Sequence, residues 1–253
     1  MNLQYAKQIG FLVSLCVIAL LAPAWGQPID RIKMFDSCQR IIESGKYFRA
    51  YDNWKIKQFR ISNTVYSETG KANINLILDE IEKRYENPDK RQVAYVLGTA
   101  YRETGRTLRP IHEVRRCESE ACIHRNVGAY GQKMENGKSY YGRGFSQLTG
   151  VKNYQRFGSL LKLQPTSSLY DNPEIALEPN IAASIIVIGM FDGAFTGRYK
   201  LNDFFNSKKS DWVGARKIVN PESDRAPVTA GYAKLFYECM TGQSLIKNGE
   251  LIR

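Results

Sequence analysis

The chain predicts a mainly helical domain built around a buried helix, with one long irregular stretch held among the helices. Three observations predict it. Apolar residues recur at helical spacing through most of the chain. The run 181–191 (IAASIIVIGMF) is apolar on nearly every side, as a central helix must be. Between Gly105 and Tyr141 the periodicity dissolves into charge and glycine. A stretch of that length without periodicity in a compact domain marks a functional surface.

The N-terminus is read first as a processing segment. Residues 9–21 are almost wholly apolar, Lys7 precedes them, and small residues Ala24 and Gly26 follow. This pattern predicts a secretory signal peptide over 1–26, with an uncleaved anchor as the alternative. After cleavage no stable membrane insertion is expected. Cys16 follows Leu15, where a lipid-attachment cysteine needs a small residue, so a lipoprotein is excluded. The remaining chain divides into an N-terminal helical region, 27–90, packed on a catalytic domain, 91–253. There is no linker, low-complexity tract or internal repeat.

The mature region keeps Cys38, Cys117, Cys122 and Cys239, an even number in an exported chain, which points to disulfides. Cys117 and Cys122 close the short loop CESEAC. Cys38 and Cys239 pair by elimination and tie the first mature helix to the last; four free buried thiols are the alternative. With only two histidines, His112 and His124, and no zinc-type cysteine spacing, no metal site is expected. The formal charge of +11 favours an anionic polymer as partner. In an exported chain that means cell-wall or envelope glycan, and no nucleic-acid signature accompanies the charge. The alternative is a solvated basic surface.

Along the chain, Ile32, Phe35, Cys38, Ile41 and Ile42 form one apolar stripe. Ile74, Ile77, Leu78, Ile81 and Tyr85 form a second, which Asn87-Pro88 ends. The next helix, 92–103, turns Val93, Val96, Leu97 and Ala100 inward and places Glu103 at the edge of that face. Short extended pieces, forming a small hairpin, are expected on the two flanks of 128–141. Helix resumes near 154–161. Asp171-Asn172-Pro173-Glu174 reads as a helix start before the central helix. Residues 211–219 are short and amphipathic, and 228–240 close the domain with Tyr232, Leu235, Phe236 and Cys239 on one face.

Two glutamates carry the chemistry. A carboxyl group at the edge of an apolar helix face loses hydration, which suits a proton donor; this is Glu103. A carboxylate in a loop with Arg109, Arg115 and Arg116 stays ionised, which suits a base; this is Glu113, with Glu118 and Glu120 as rivals. One acid and one base across a cleft is the equipment for cleaving a glycosidic bond. Ordinary salt bridges, of Glu103 with Arg102 or Arg106, are the bland alternative. The block Tyr140-Tyr141-Gly142-Arg143-Gly144-Phe145-Ser146-Gln147-Leu148-Thr149, followed by Asn153-Tyr154, supplies neutral hydrogen-bonding groups and flat rings suited to sugars.

That block, YYGRGFSQLTGVKNYQRFG, resembles the signature of the family 19 glycoside hydrolases. AYVLGTAYRETGRTLRPIHE resembles the family's catalytic helix and following loop. LYDNPEIALEPNIAASIIVIGMFDGAFTG resembles its central helix, and IVNPESDRAPVTAGYAKLFYECM its closing segment. Together they cover 91–240. The resemblance implies a two-lobed, lysozyme-like domain with a sugar cleft, and single-displacement hydrolysis without metal or cofactor. It implies Glu103 as general acid, Glu113 as second carboxylate and Thr149 as holder of the attacking water. It implies Gln147 and Asn153 as substrate contacts and Asn220 and Arg225 as cleft residues of the closing segment; Tyr141 and Arg143 of the block are expected to join the substrate contacts. Arg102 stands where the family usually has histidine, and the CESEAC loop and region 27–90 lack counterparts. The expected function is a monomeric, periplasmic or secreted endo-glycosidase acting on β-1,4 links of peptidoglycan or chitin. A lytic transglycosylase and a catalytically inactive glycan-binding or envelope protein are the alternatives.

Overall fold

The structure, a computed structural model, describes residues 28–47, 61–114, 116–117, 119–163, 168–220, 225–247 and 250–251. The signal segment, the cleavage site, Cys16, Arg115 and Glu118 lie outside them. Helix α1 (Arg31–Glu43) starts where the Asp30 side chain accepts a hydrogen bond from the Lys33 N–H at 3.0 Å, a standard N-cap. It buries Met34, Phe35 and Cys38 and half-buries Ile41 and Ile42. Ile32, expected on that stripe, is 77% exposed. At ~100° per residue the face centres between Met34, Cys38 and Phe35, and Ile32 falls roughly a third of a turn away.

Helix α2 (Glu68–Arg84) is capped by Ser67 and buries Ile74, Ile77, Leu78 and Ile81 as expected. Tyr85 at its end stacks on Phe191 with ring centroids 4.2 Å apart. Helix α3 (Lys90–Glu103) buries every residue from Gln92 to Tyr101, so it is enclosed, not half-buried. Its partner is the closing helix α7 (Ala226–Thr241), and the two axes approach closely at Gly98. A Cβ there would stand 2.5 Å from the Ala233 backbone nitrogen, so only glycine permits this crossing.

Between them in sequence lie α4 (Glu120–Val127), α5 (Val151–Leu160) and α6 (Pro179–Phe191). Helix α4 corrects the expectation of continuous loop over 105–141: it begins inside CESEAC, capped by Ser119. Among the described residues, three small antiparallel pairs complete the architecture. Strands β1 (Ile111–His112) and β2 (Arg143–Gly144) pair in the register Ile111↔Gly144 and His112↔Arg143, on either side of 128–141. Strands β3 (Phe205–Asn206) and β4 (Lys209–Ser210) pair, as do β5 (Ile246–Lys247) and β6 (Glu250–Leu251).

Two hydrophobic clusters organise these elements. The larger gathers α1, α2, α3 and α7; the smaller gathers Tyr140, Leu148, Tyr154, Phe157, Leu169 and Ala176. Helix α6 serves both. Ala182, Ala183, Ile186, Val187 and Met190 face the larger cluster, while Ile185 and Ile188 face the smaller. This is why its sequence is apolar on nearly every side. The disulfide Cys38–Cys239 joins α1 to α7 across 201 positions, and Cys117–Cys122 closes the mouth of α4. Helices α1 and α2 therefore share the main core, and Tyr47 adds to it by donating its hydroxyl to Glu238 at 3.0 Å. Among the described residues, no helix is long and apolar enough to cross a membrane.

Candidate active site

A cleft of about 530 Å³ opens between the two clusters. The helical side is built by the last turn of α3 and the 3₁₀ turn Gly214–Ile218. These bring Glu103 and Arg216 together from 113 positions apart, with Arg216 Nη1 to Glu103 Oε1 at 2.6 Å. Their side chains are 16% and 8% exposed, so the charge on one is balanced by the other with little water between. Arg216 was not singled out by sequence reasoning, although a signal existed. Trp212, Ala215, Arg216 and Val219 follow i, i+3, i+4, i+7 spacing, which puts an arginine on the apolar face. A cation placed there needs a buried partner. Arg102 makes no hydrogen bond to Glu103. Its Nε is buried without a partner, and burial, ahead of its neighbours' charges, pulls its pKa down.

The opposite side is held by backbone pairing. Glu113 follows β1 directly. Its N–H donates to the Gly142 carbonyl at 2.8 Å, and the Gly142 N–H donates to Glu113 Oε2 at 3.1 Å. A Cβ on Gly142 would stand 2.9 Å from Gln147 Oε1 and 3.0 Å from Glu113 Oε2, so glycine lets both side chains close over it. Gln147 sits in the left-handed region, φ 56°, and donates through Nε2 to the Ile111 and Gly144 carbonyls at 3.0 and 3.1 Å. Thr149 Oγ1 donates to the Gln147 carbonyl at 2.9 Å, which leaves its lone pairs to accept. Asn153 Nδ2 donates to the Thr149 carbonyl at 3.0 Å.

Glu103, Glu113, Gln147, Thr149, Asn153 and Asn220 all line this cleft, as do Tyr130 and Phe195. Arg225 lines a smaller adjoining recess instead. Glu120, one of the two rivals of Glu113, is exposed on α4 and paired with Lys133 at 2.5 Å, away from the cleft. Lys133 holds its carboxyl below the usual range.

Tyr141 and Arg143, expected among the substrate contacts, are placed behind the cleft wall. Arg143 is 3% exposed. Its guanidinium lies 3.8 Å from the Tyr141 ring centroid, donates to the Ser139 and Tyr141 carbonyls at 3.1 Å, and donates to Glu174 Oε1 at 2.9 Å. Glu174 also meets His112 Nε2 at 3.2 Å, and the Tyr141 hydroxyl meets His112 Nδ1 at 3.2 Å. The His112 ring and then the Arg143 charge outweigh burial and hold the Glu174 carboxyl below the usual carboxylate range. This network pins β1 and β2, and so Glu113, to the 3₁₀ turn Pro173–Leu177. Tyr140 and Tyr154 are buried too, whereas Tyr130, 57% exposed, brings an aromatic face to the cleft. Glycine-rich spacing marks close backbone approach; it does not say which rings reach solvent.

No protein-family model matches the chain, and no curated protein matches it. Among solved structures, it is similar to chitinase C from Streptomyces griseus HUT6037, at 19% identity and TM-score 0.48, covering 71% of this chain and 72% of that one. It is also similar to a mutant of chitinase C, at 16% identity and TM-score 0.48, covering 90% and 100%. A bacterial family 19 chitinase matches at 16% identity and TM-score 0.41, covering 71% and 89%.

Proposed function

We propose that the chain is an exported glycoside hydrolase that cleaves β-1,4 links beside N-acetylated amino sugars by single displacement. The observation that carries this reading is that Glu103 and Glu113 enter one cleft from its two differently built sides. Glu103 donates a proton to the leaving oxygen, and Arg216 stabilises the carboxylate that remains. Glu113 takes a proton from water on the other face of the sugar. The Thr149 hydroxyl, which spends its hydrogen on the Gln147 carbonyl, accepts from that water and aims it. Asn153, Gln147 and Asn220 offer polar contacts, and Tyr130 a flat face for a ring. The disulfides Cys38–Cys239 and Cys117–Cys122 support folding in an oxidising compartment.

The test incubates wild-type protein and Glu103→Gln with chitooligosaccharide and with peptidoglycan. New reducing ends are expected from at least one substrate, and the variant should be slower by about 10²–10⁴-fold. Anhydro-sugar products would replace this mechanism with a lytic transglycosylase. Binding without any cleavage would leave a glycan-binding protein.

A further inference from the structure

The CESEAC segment belongs to neither hydrophobic cluster and takes no part in the carboxylate chemistry, yet it follows closely on Glu113. The Cys117 N–H donates at 2.8 Å to the carbonyl of Val114, the residue after that carboxylate. The Cys117–Cys122 bridge then fixes the start of α4. Asn126 reaches back over the bridge, donating through Nδ2 to the Cys122 carbonyl at 2.8 Å and to Cys117 Sγ at 3.4 Å. The 3₁₀ turn Gly128–Gly131 follows and folds back onto α4. A Cβ on Gly131 would stand 2.7 Å from Val127 Cγ2 and 3.2 Å from Ile123 Cγ2, so glycine allows this close return.

Helix α4 and the turn form an arm, and Tyr130 is its tip. The Tyr130 ring is largely exposed and lines the cleft. A Cβ on Gly150 would lie 3.7 Å from Tyr130 Cε1, so the ring stands over the start of α5, next in sequence to Thr149. The arm therefore leaves the cleft wall at Glu113 and returns to it beside Thr149.

The core does not hold this arm. Helix α4 buries no side chain, and among the described residues neither hydrophobic cluster draws on it or on the turn. A helix of eight residues is marginal in isolation. Its exposed ion pair, Glu120 with Lys133, adds little in water. A covalent tie across 5 positions also adds little global stability, because loop-closure entropy grows with the length closed. The effect of so short a tie is local: it fixes the direction in which α4 leaves the wall. Tyrosine has a large flat face, few rotatable bonds and a hydroxyl that stays wet, which suits the C–H face of a pyranose ring.

We infer that this arm is a substrate-binding element: the Cys117–Cys122 bridge is a positioning device that holds Tyr130 over the cleft, where its ring takes the flat face of a sugar next to Thr149. The inference rests on the glycan-hydrolase reading and deepens it, by giving the CESEAC bridge a role in binding rather than in stability.

The experiment measures kcat, KM and melting temperature for wild type, Tyr130→Ala, Tyr130→Phe, Cys117→Ser/Cys122→Ser and the triple variant that combines the alanine and the two serines. The substrates are chitohexaose and a soluble peptidoglycan tetrasaccharide. Tyr130→Ala should raise KM about 2–10-fold, as loss of one aromatic contact predicts. Its kcat should hold, because the lost contact serves ground state and transition state alike. Tyr130→Phe keeps the flat face and should keep KM near wild type. The bridge variant should raise KM by a similar factor with a melting temperature close to wild type. The triple variant should be no worse than either parent, because both changes remove the same contact. Brief reduction of wild type by a dithiol should reproduce the bridge variant once alkylation shows that only Cys117 and Cys122 have opened; Cys38 and Cys239 are buried. An unchanged KM in Tyr130→Ala or in the bridge variant overturns the inference, as does a triple variant in which the two effects multiply. Should wild type cleave neither substrate, the hydrolase reading fails, and Kd by calorimetry with the same two sugars decides the arm by the same pattern. No binding of either sugar overturns both.

Discussion

The two sides of the cleft hold their carboxylates by opposite means. Glu103 ends a helix whose ten preceding positions from Gln92 to Tyr101 are enclosed, and its charge is met by an arginine that is itself nearly buried. Glu113 is exposed at the end of a two-residue strand and is held by reciprocal backbone contacts with Gly142. The first is placed by packing, the second by a hydrogen-bonded loop supported from behind by Arg143 and Glu174. A side chain placed by packing moves only if the core moves. One placed by a loop can be displaced by a single methyl group. The disulfides follow the same division: Cys38–Cys239 closes 201 positions through the large core, and Cys117–Cys122 closes only 5 beside the loops.

The contrast can be broken at five points. The largest effect should come from Arg216→Met, which leaves Glu103 in a nearly dry site without its cation. Removing one member of such a pair costs about 3–5 kcal/mol. Chemical denaturation should show a lower midpoint, with the loss shrinking when Glu103→Gln is combined with it. Next is the Cys38→Ser/Cys239→Ser double variant, expected to lose about 2–5 kcal/mol because the closed loop is long. The corresponding Cys117→Ser/Cys122→Ser variant should lose less, and thermal melts of the two side by side would show the core as the part that depends on its bridge.

Gly142→Ala tests the loop side. The added Cβ would crowd Glu113 and Gln147 without touching the large core. Its melting temperature should stay near wild type while kcat falls about 10–100-fold, since a misplacement near 1 Å can cost that much. A normal rate in this variant would remove Glu113 from the mechanism. The smallest effect is expected from Glu174→Gln. Its folded-state pKa is depressed by His112 and Arg143, so its stabilising contribution is present above the ordinary value of 4.5 and is lost as pH falls through the lowered value. Acid titration of stability should therefore be shallower below pH 4.5 in Glu174→Gln than in wild type, with little difference near neutrality.

Much of the helical framework was legible because a helix writes its buried face into its own sequence. Ile74, Ile77, Leu78 and Ile81 needed only their spacing, and the apolarity of 181–191 on nearly every side announced a helix between two cores. Ile32 was misread because its spacing of three to Phe35 and six to Cys38 does not reveal where the face is centred. Helix α4 was hidden because eight residues with no buried side chain carry little periodic signal. At the cleft, Glu103 was readable from its place at the edge of an apolar face, and Glu113 from the loop that follows. Tyr141 and Arg143 were not, since a residue type suited to sugars is equally suited to a buried cation–ring contact.

The sequence by itself determined where most of the helices run, which cysteines were available to pair and which carboxyl groups were candidates for the site, because these depend on local spacing and on residue type. Tertiary structure decided that Arg216, not Arg102, answers Glu103, that Tyr130 rather than Tyr141 faces the cleft, and that Arg102 turns towards a recess of other arginines. The reason is physical: periodicity reports how apolar a face is, whereas the charge that meets it is set by segments more than a hundred positions away.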